Sequence, residues 1–323
     1  MQPAIFMVIG SCASLQIGAA LAAQLFPTAG SAGATFLRLG LAALTLLALA
    51  RPAIRAWRRD QWRAVLLLGL TLAGMNGFFY ASIARIPLGI AVTIEFLGPL
   101  TLAAVLSRRP RDFAWVLLAA AGVLVLGWDG PADLDPIGVA LVLVAAVFWA
   151  LYILASAHAG AAVQGQGGLA VAMTVGALVM LPMGFAGAQR AVTSPHLLLV
   201  ALGTGLLASV IPYSLEMAAL RRLPKQVFGI LLSLEPAVAA LAGWLLLSQG
   251  FTVPTAIAVV VVVLASVGST LTVNRASARL PAALPAPLPA RLPARLPARL
   301  PARLPARLPD EEPPAVALVP TGH

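Results

Sequence analysis

Four ionisable side chains of this chain stand inside long apolar stretches: Arg38, Glu95, Glu216 and Glu235. An ionisable group within hydrocarbon faces the interior of a helix bundle or a wet cavity, so each is a candidate for function. Glu95 lies eight residues past Pro87, which places it about 12 Å along a helix and near the middle of a membrane. There, desolvation favours the protonated carboxyl and a nearby cation favours the carboxylate. We therefore expect Glu95 to exchange a proton for a charged substrate.

Polar residues accompany these ionisable groups on shared helix faces. Asn76 and Tyr80 are four residues apart, and Tyr213 and Glu216 are three apart, spacings that place each pair on one face. We predict Asn76, Tyr80 and Tyr213 as substrate-binding or coupling residues together with the four ionisable groups. Further hydrogen-bonding or aromatic surface comes from Gln16, Trp149 and Tyr152, of which we interpret the two aromatics as packing or interfacial residues.

A purely structural interpretation competes with this one. A buried glutamate can be protonated and hydrogen-bonded, or paired with Arg38, and so hold helices together without binding a substrate. Glu216 stands toward the end of its apolar stretch, where its side chain could reach water instead. Both interpretations stay open at this point.

The sequence offers little for catalysis. It contains no glycine-rich phosphate loop of the Walker type and no metal-binding constellation. The single cysteine, Cys12, excludes an intrachain disulfide. We expect neither enzymatic activity nor a cofactor, and without a nucleotide site the chain is not a primary pump by itself.

Composition identifies the elements that carry these residues. The 323 residues are 60% hydrophobic and 10% charged, whereas charged residues make up about a quarter of a soluble domain. A spanning helix needs about 20 mostly apolar residues. We predict an all-α membrane protein with ten transmembrane helices, at residues 4–25, 29–50, 63–84, 87–107, 112–129, 136–158, 168–188, 196–219, 224–247 and 253–273.

Basic residues predict the orientation of these helices. If the N-terminus is cytoplasmic, the inner loops carry eleven basic residues: Arg51, Arg55, Arg58, Arg59, Arg63, Arg108, Arg109, Arg111, Arg221, Arg222 and Lys225. The outer loops carry Arg85 and Arg190, and an acidic loop with Asp129, Asp133 and Asp135. This positive-inside bias predicts cytoplasmic N- and C-termini. It also explains the net charge of +10 without nucleic acid as a partner.

An internal repeat explains the number of helices. An offset of 137 residues aligns Arg85 and Pro87 with Arg222 and Pro224, and Pro99 with Pro236. Five helices in each half form two inverted repeats, as in many secondary transporters that bind substrate between the halves. We assign residues 1–130 to the first repeat and 131–274 to the second. The helix breaks implied by Pro99 and Pro236 need a protein-lined or wet surrounding.

Residues 275–323 differ from the rest in composition. Arg-Leu-Pro-Ala recurs there, and proline at every fourth position forbids a helix. We predict a disordered, extended cytoplasmic tail near anionic lipid headgroups, which is a repeat expansion or a tether.

Several segments resemble the bacterial threonine/homoserine exporters, in the EamA branch of the drug/metabolite transporter superfamily. The similar segments are Leu37-Arg38-Leu39, Gly74-Met75-Asn76, residues 87–99 with Glu95 and Pro99, residues 107–110, residues 212–217 with Glu216, Ser233-Leu234-Glu235-Pro236 and residues 268–273. The resemblance covers residues 4–273. It implies ten helices in two inverted repeats and proton-driven export of small amino acids. One departure is Ser248-Gln249, where the superfamily often has Gly-Glu at the end of the ninth helix, a position that we interpret as a cap.

We therefore expect a proton-coupled antiporter in the bacterial inner membrane that exports threonine, homoserine or a similar small neutral amino acid. Its partners would be that substrate, protons and the lipid bilayer, while the sequence leaves the oligomeric state open. One alternative is a broader metabolite or drug exporter with a more aromatic cavity. The other is a membrane sensor or assembly protein that transports nothing.

Overall fold

The computed structural model describes residues 2–107, 112–125, 134–220, 222–223 and 225–278. Every regular element within these ranges is a helix, and none is a strand. The helices are α1 Gln2–Ala23, α2 Phe26–Ala50, α3 Arg59–Ile83, α4 Leu88–Glu95, α5 Leu97–Ser107, α6 Phe113–Val125, α7 Pro136–Ala162, α8 Gly167–Val192, α9 Pro195–Gly205, α10 Ile211–Leu220, α11 Lys225–Leu232, α12 Glu235–Leu247 and α13 Val253–Ala278. The predicted all-α class is confirmed.

The number of membrane-spanning helices agrees with the sequence pattern. Nine helical stretches in the described ranges are 20 to 27 residues long and apolar enough to cross a bilayer. Helix α6, at the position of the span predicted for 112–129, has 13 described residues. The rest of that span and the acidic loop up to Asp133 lie outside the described residues, as do Arg108, Arg109, Arg111 and Arg221.

Several helix boundaries differ from the predictions by two to five residues, among them the start of α3 and the end of α13. Helix α3 begins at Arg59 rather than 63, because the N–H of Arg58 donates to Oε1 of Gln61 (2.8 Å) in a capping box. Helix α13 runs to Ala278, so residues 275–278, which we assigned to the tail, are helical. Nothing in Asn274-Arg275-Ala276-Ser277-Ala278 breaks a helix, since the proline repeat starts at Pro281. The rest of the predicted tail, 279–323, lies outside the described residues.

Prolines interrupt three of the spans in the middle of the membrane. Helix α4 ends at Glu95 and α5 begins at Leu97, two residues before Pro99. Helix α11 ends at Leu232 and α12 begins at Glu235, just before Pro236. Because proline has no N–H, the carbonyls four residues earlier, those of Glu95 and Leu232, lack a helical donor. Between α9 and α10, residues Leu206–Val210 form a π-helical turn ahead of Pro212.

The helices pack in long pairs. Helix α2 lies along α8, α3 along α7, and α6 along α13, while α1 contacts α10, α12 and the π-helical turn. Small residues permit this close packing, as is typical of helices in membranes. At Gly98, a Cβ atom would collide with the carbonyl of Ala146, so α5 and α7 approach each other backbone to backbone.

An ion pair joins two elements at the end of α3. Nη1 of Arg85 lies 2.7 Å from Oδ2 of Asp135, and Oδ1 of Asp135 accepts a hydrogen bond from the N–H of Ile137 at the start of α7 (2.8 Å). The hydrogen bond from Arg85 lowers the pKa of Asp135, and the bond from Ile137 lowers it further. The pair therefore fixes the start of α7 against the segment that follows α3.

Candidate functional site

A cavity of about 330 Å³ lies among the interrupted helices. Its polar wall includes Arg38, Asn76, Glu95, Tyr213, Glu216 and Glu235, six of the seven predicted site residues, together with Gln16. They come from helices α2, α3, α4, α10 and α12, so residues distant in sequence meet around one space. The volume is at the lower end of the range for small-molecule pockets.

Tyr80, the seventh predicted residue, lies behind the cavity wall. Its side chain is fully buried, and the Cζ atom of Arg38 stands 5.3 Å from the centre of its ring. A guanidinium at this distance from an aromatic face is attracted by the ring electrons. Tyr80 therefore supports Arg38 and is not part of the cavity lining.

Arg38 is held by the π-helical turn. Its Nη2 donates to the carbonyl of Ala208 (2.6 Å), and its Nε donates to Oγ of Ser209 (3.1 Å). The carbonyl of Ala208 is available because Pro212, four residues later, has no N–H. Neither of the ion pairs in the described part of the chain includes Arg38. The interpretation of Arg38 as the partner of a buried glutamate is therefore wrong.

Two of the three glutamates accept hydrogen bonds from α1. Oγ of Ser11 donates to Oε1 of Glu216 (2.7 Å). Nε2 of Gln16 donates to Oε1 of Glu235 (3.1 Å). Glu235 is also the first residue of α12, where the helix dipole favours negative charge. Since Glu216 lines the cavity and binds Ser11, its side chain is directed inward and does not snorkel to the membrane surface.

Glu95 differs from the other two glutamates. It is 7% exposed and is the last residue of α4, next to the break at Phe96. No hydrogen bond or ion pair joins its carboxyl group to another residue that the structure describes. A buried carboxyl group without a partner is costly, so Glu95 is the group in this wall that gains most from a bound cation or proton.

Aromatic side chains also line the cavity. The rings of Phe96 and Trp149 meet edge to face at 4.9 Å, and those of Tyr152 and Tyr213 are 6.4 Å apart. All four residues line the cavity. Trp149 and Tyr152 therefore contribute to the candidate site, although we interpreted them as packing or interfacial residues.

The polar contributions of α13 and of Ser11 to the site were not predicted from the sequence. Ser266, Ser269 and Thr270 line the cavity from α13. Their spacing, three and four residues apart in an apolar helix, could have indicated a polar face. Ser11 gave no such signal, because a lone serine in a transmembrane helix is ordinary.

The site has groups that can bind opposite charges and exchange protons. Among the described residues, its wall contains one cation without a paired carboxylate and three carboxyl groups around a confined space. In the part of the chain that the structure describes, no three His, Cys, Asp or Glu residues come together to hold a metal ion. The wall can therefore receive a molecule that carries both an ammonium and a carboxylate group.

Comparisons with known proteins agree with this description. The model of the EamA-like transporter family matches residues 136–271. The chain is 43% identical over 274 residues to the threonine/homoserine exporter RhtA of Salmonella typhimurium (strain SL1344), covering 84% of this chain and 92% of that protein. It is 42% identical over 276 residues to RhtA of Escherichia coli (strain K12), covering 84% and 93%. A solved crystal structure at 20% identity has a TM-score of 0.55 and covers 85% of this chain and 99% of its own, which supports the fold.

Proposed function

Because the chain belongs to the EamA-like transporter family, in the group of the threonine/homoserine exporters, we propose that it exports threonine, homoserine or a similar small neutral amino acid. That it is a membrane transporter and not an enzyme follows from the family. The observation that carries the substrate proposal is the cavity wall, where no described carboxylate pairs with Arg38 and no described residue forms a hydrogen bond with Glu95.

Each charged end of an amino acid has a counterpart in this wall. Nε and Nη2 of Arg38 are bound to Ser209 and Ala208, whereas its Nη1 donates to no described residue. We assign Nη1 to the carboxylate of the substrate and Glu95 to its ammonium group. Asn76 and Tyr213 then bind the side-chain hydroxyl, because both line the same cavity.

We propose proton coupling because the carboxyl group of Glu95 has no hydrogen-bond partner among the described residues. In the empty cavity the low dielectric favours the protonated carboxyl group, and a substrate ammonium favours the carboxylate. Binding of substrate therefore releases a proton, and release of substrate takes one up. Alternation of the two ligands on one carboxyl group is antiport, with Glu216 and Glu235 as secondary coupling residues.

Two inverted repeats, 1–130 and 131–274, form the transporter in this proposal. The bounds of the helices support an offset of 137 residues: α4 begins at Leu88 and α11 at Lys225, while α3 ends at Ile83 and α10 at Leu220. The break at Phe96 falls on Ser233, which lies in the break between α11 and α12. The stretch matched by the family model, 136–271, also lies within the second repeat.

We propose that the chain lies in the bacterial inner membrane with both termini in the cytoplasm. Among the described residues, the basic side chains of the 51–63 loop support a cytoplasmic location for that loop. A reporter fused in the 51–62 loop would then be cytoplasmic, and one in the 129–135 loop would be outside. A cytoplasmic 129–135 reporter would contradict both the ten-helix topology and the inverted repeat.

A broader metabolite exporter is the second candidate. The aromatic wall of Phe96, Trp149, Tyr152 and Tyr213 favours it, because flat apolar surface accepts varied substrates. In contrast, a cavity lined by charged and polar residues does not support the alternative of a membrane sensor that transports nothing.

Uptake into inside-out vesicles distinguishes these candidates. We expect labelled threonine and homoserine to accumulate when a pH gradient is imposed, and to compete with each other. Equal uptake of bulky aromatic compounds would favour the broader exporter. If no compound in the panel responded to the gradient, proton-coupled export would be contradicted.

A further inference from the structure

The two ends of the cavity are not equivalent. At one end α4 crosses α12 so closely that a Cβ atom on Gly89 would stand 2.5 Å from the Cα of Ala240. The offset of 137 residues relates α4 to α11, and it relates α5 to α12. Although α4 and α12 cross closely, α5 and α11 make at most marginal contact in the described residues. Ala103, the repeat partner of Ala240, lines the cavity instead.

This difference between the two ends indicates which side of the membrane the cavity faces. The cavity extends along the inner halves of α5, α10 and α11 to Ala103, Glu216 and Gly229. With the proposed orientation, which rests on the proposed function, the cavity faces the cytoplasm. The crossing of α4 and α12 closes it toward the outside.

At the closed end of the cavity, the side chain of Gln249 forms a hydrogen bond with α4. Oε1 of Gln249 accepts a hydrogen bond from the N–H of Leu88, the first residue of α4 (3.0 Å). This N–H is one of the four at a helix start that lack a partner within the helix. Gln249 belongs to the segment after α12, so its amide joins the two helices that cross.

The turn before Gln249 directs its side chain back to α4. Ser248 ends α12 in the left-handed conformation, with φ of 53°. The N–H groups of Ser248 and Gln249 both donate to the carbonyl of Gly243. A Cβ atom on Gly243 would lie 2.5 Å from Oε1 of Gln249, so the amide oxygen fits where that side chain is missing.

We propose that Gln249 is a positioning residue that latches α4 to α12 and keeps the outer end of the cavity closed. Opening to the outside requires α4 to leave α12 and hence breaks the bond between Gln249 and Leu88. Because α4 has only eight residues, the same bond also sets the place of Glu95 at its other end. The latch thus connects the position of the coupling carboxyl group with the state of the outer gate.

Side-specific labelling of a cysteine tests this proposal. The single native cysteine is replaced (Cys12→Ser), and a cysteine is introduced by Ala19→Cys, at a buried position that lines the cavity on the outer half of α1. A membrane-impermeant maleimide is then added to right-side-out vesicles. We expect Gln249→Leu to raise the labelling rate about three- to tenfold, the effect of one hydrogen bond.

Two variants separate the latch from a general structural effect. Gln249→Glu keeps an oxygen acceptor, so its labelling rate should stay within about twofold of the parent. Gln164→Leu makes the same substitution at an exposed loop glutamine and should leave the labelling rate unchanged. If Gln249→Leu labelled at the parental rate, or Gln249→Glu labelled as fast as Gln249→Leu, the latch would be refuted.

A second route covers the case in which Gln249→Leu does not reach the membrane. Gly89→Ala should force α4 away from Ala240 and also raise external labelling, whereas Gly160→Ala adds a methyl group in open space and should not. Equal rates in these two variants would refute the closed gate. The labelling needs no substrate, so it stays informative even if threonine proves not to be transported.

Discussion

The guanidinium of Arg38 lies over the ring of Tyr80, 5.3 Å from its centre, and both side chains are buried. The ring thus lies against the cation, while Tyr80 itself is not part of the cavity lining. It adds attraction without a second charge, so Arg38 keeps its full charge for a substrate carboxylate.

Replacement of Tyr80 tests this support. We expect Tyr80→Leu to raise the KM for threonine about five- to thirtyfold, because loss of the ring face removes an attraction of about 1 to 2 kcal/mol from the buried cation. Tyr80→Phe keeps the ring and should stay within about twofold of the parent. Measurement of threonine transport against concentration in vesicles checks both. Equal defects in the two variants would assign the effect to the hydroxyl instead.

Glu95→Gln is the direct test of coupling. The amide keeps the shape of the side chain but cannot titrate, so gradient-driven export of threonine should fall below about a tenth of the parental rate. Membrane expression should be unchanged, and Asp60→Asn, at an exposed carboxylate, should export normally. Export by Glu95→Gln at the parental rate, with unchanged pH dependence, would leave Glu95 as a packing residue and transfer the coupling to Glu216 or Glu235.

The ion pair of Asp135 and Arg85 predicts a pH-dependent stability. Because the folded pKa of Asp135 is lowered, its contribution is present above the unfolded pKa of about 3.9 and is lost as the pH falls through the folded value. Asp135→Asn keeps an oxygen for the N–H of Ile137 but removes the charge. We expect it to lower Tm at pH 7 in detergent, and we expect the Tm difference from the parent to shrink as the pH falls below about 3.9. A Tm difference that stayed constant on acidification would contradict the ion pair as its cause.

The segment after α13 should be dispensable for transport. Helix α13 ends at Ala278, and the arginine and proline repeat follows it. We expect deletion of residues 279–323 to leave threonine export within about twofold of the parent, since no cavity residue is removed. Quantification at equal membrane expression is required. Loss of export would show that the repeat does more than tether the chain to lipid headgroups.

The charged residues of the cavity wall could be located from the sequence, because charge in an apolar stretch is a strong signal. Arg38, Glu95 and Glu235 could be found that way, since burial of such groups is costly without a purpose. The hydrogen-bond partners of these groups could not be found in this way. That Gln16 binds Glu235 and Ser11 binds Glu216 depends on how α1 sits against α10 and α12, which no local pattern encodes.

Helix interruptions were predicted less well than helix positions. Pro99 and Pro236 indicated two of them, although each break lies before its proline, at the turn that loses its donor. The π-helical turn at 206–210 was not expected, because Pro212 followed an ordinary apolar run. The role of Tyr80 was also misjudged, since helical spacing from Asn76 gives a shared face but not the depth behind it.

The carbonyl of Ala208 that holds Arg38 belongs to the main chain, and this has a consequence for protein engineering. Changes to Phe96, Trp149 or Tyr152 leave this acceptor in place, so the aromatic wall can be redesigned for other substrates while the cation stays fixed. The sensitive position is instead Pro212, four residues after Ala208. A residue other than proline there would bring an N–H that competes with Arg38 for the same carbonyl and would weaken its hold on the cation.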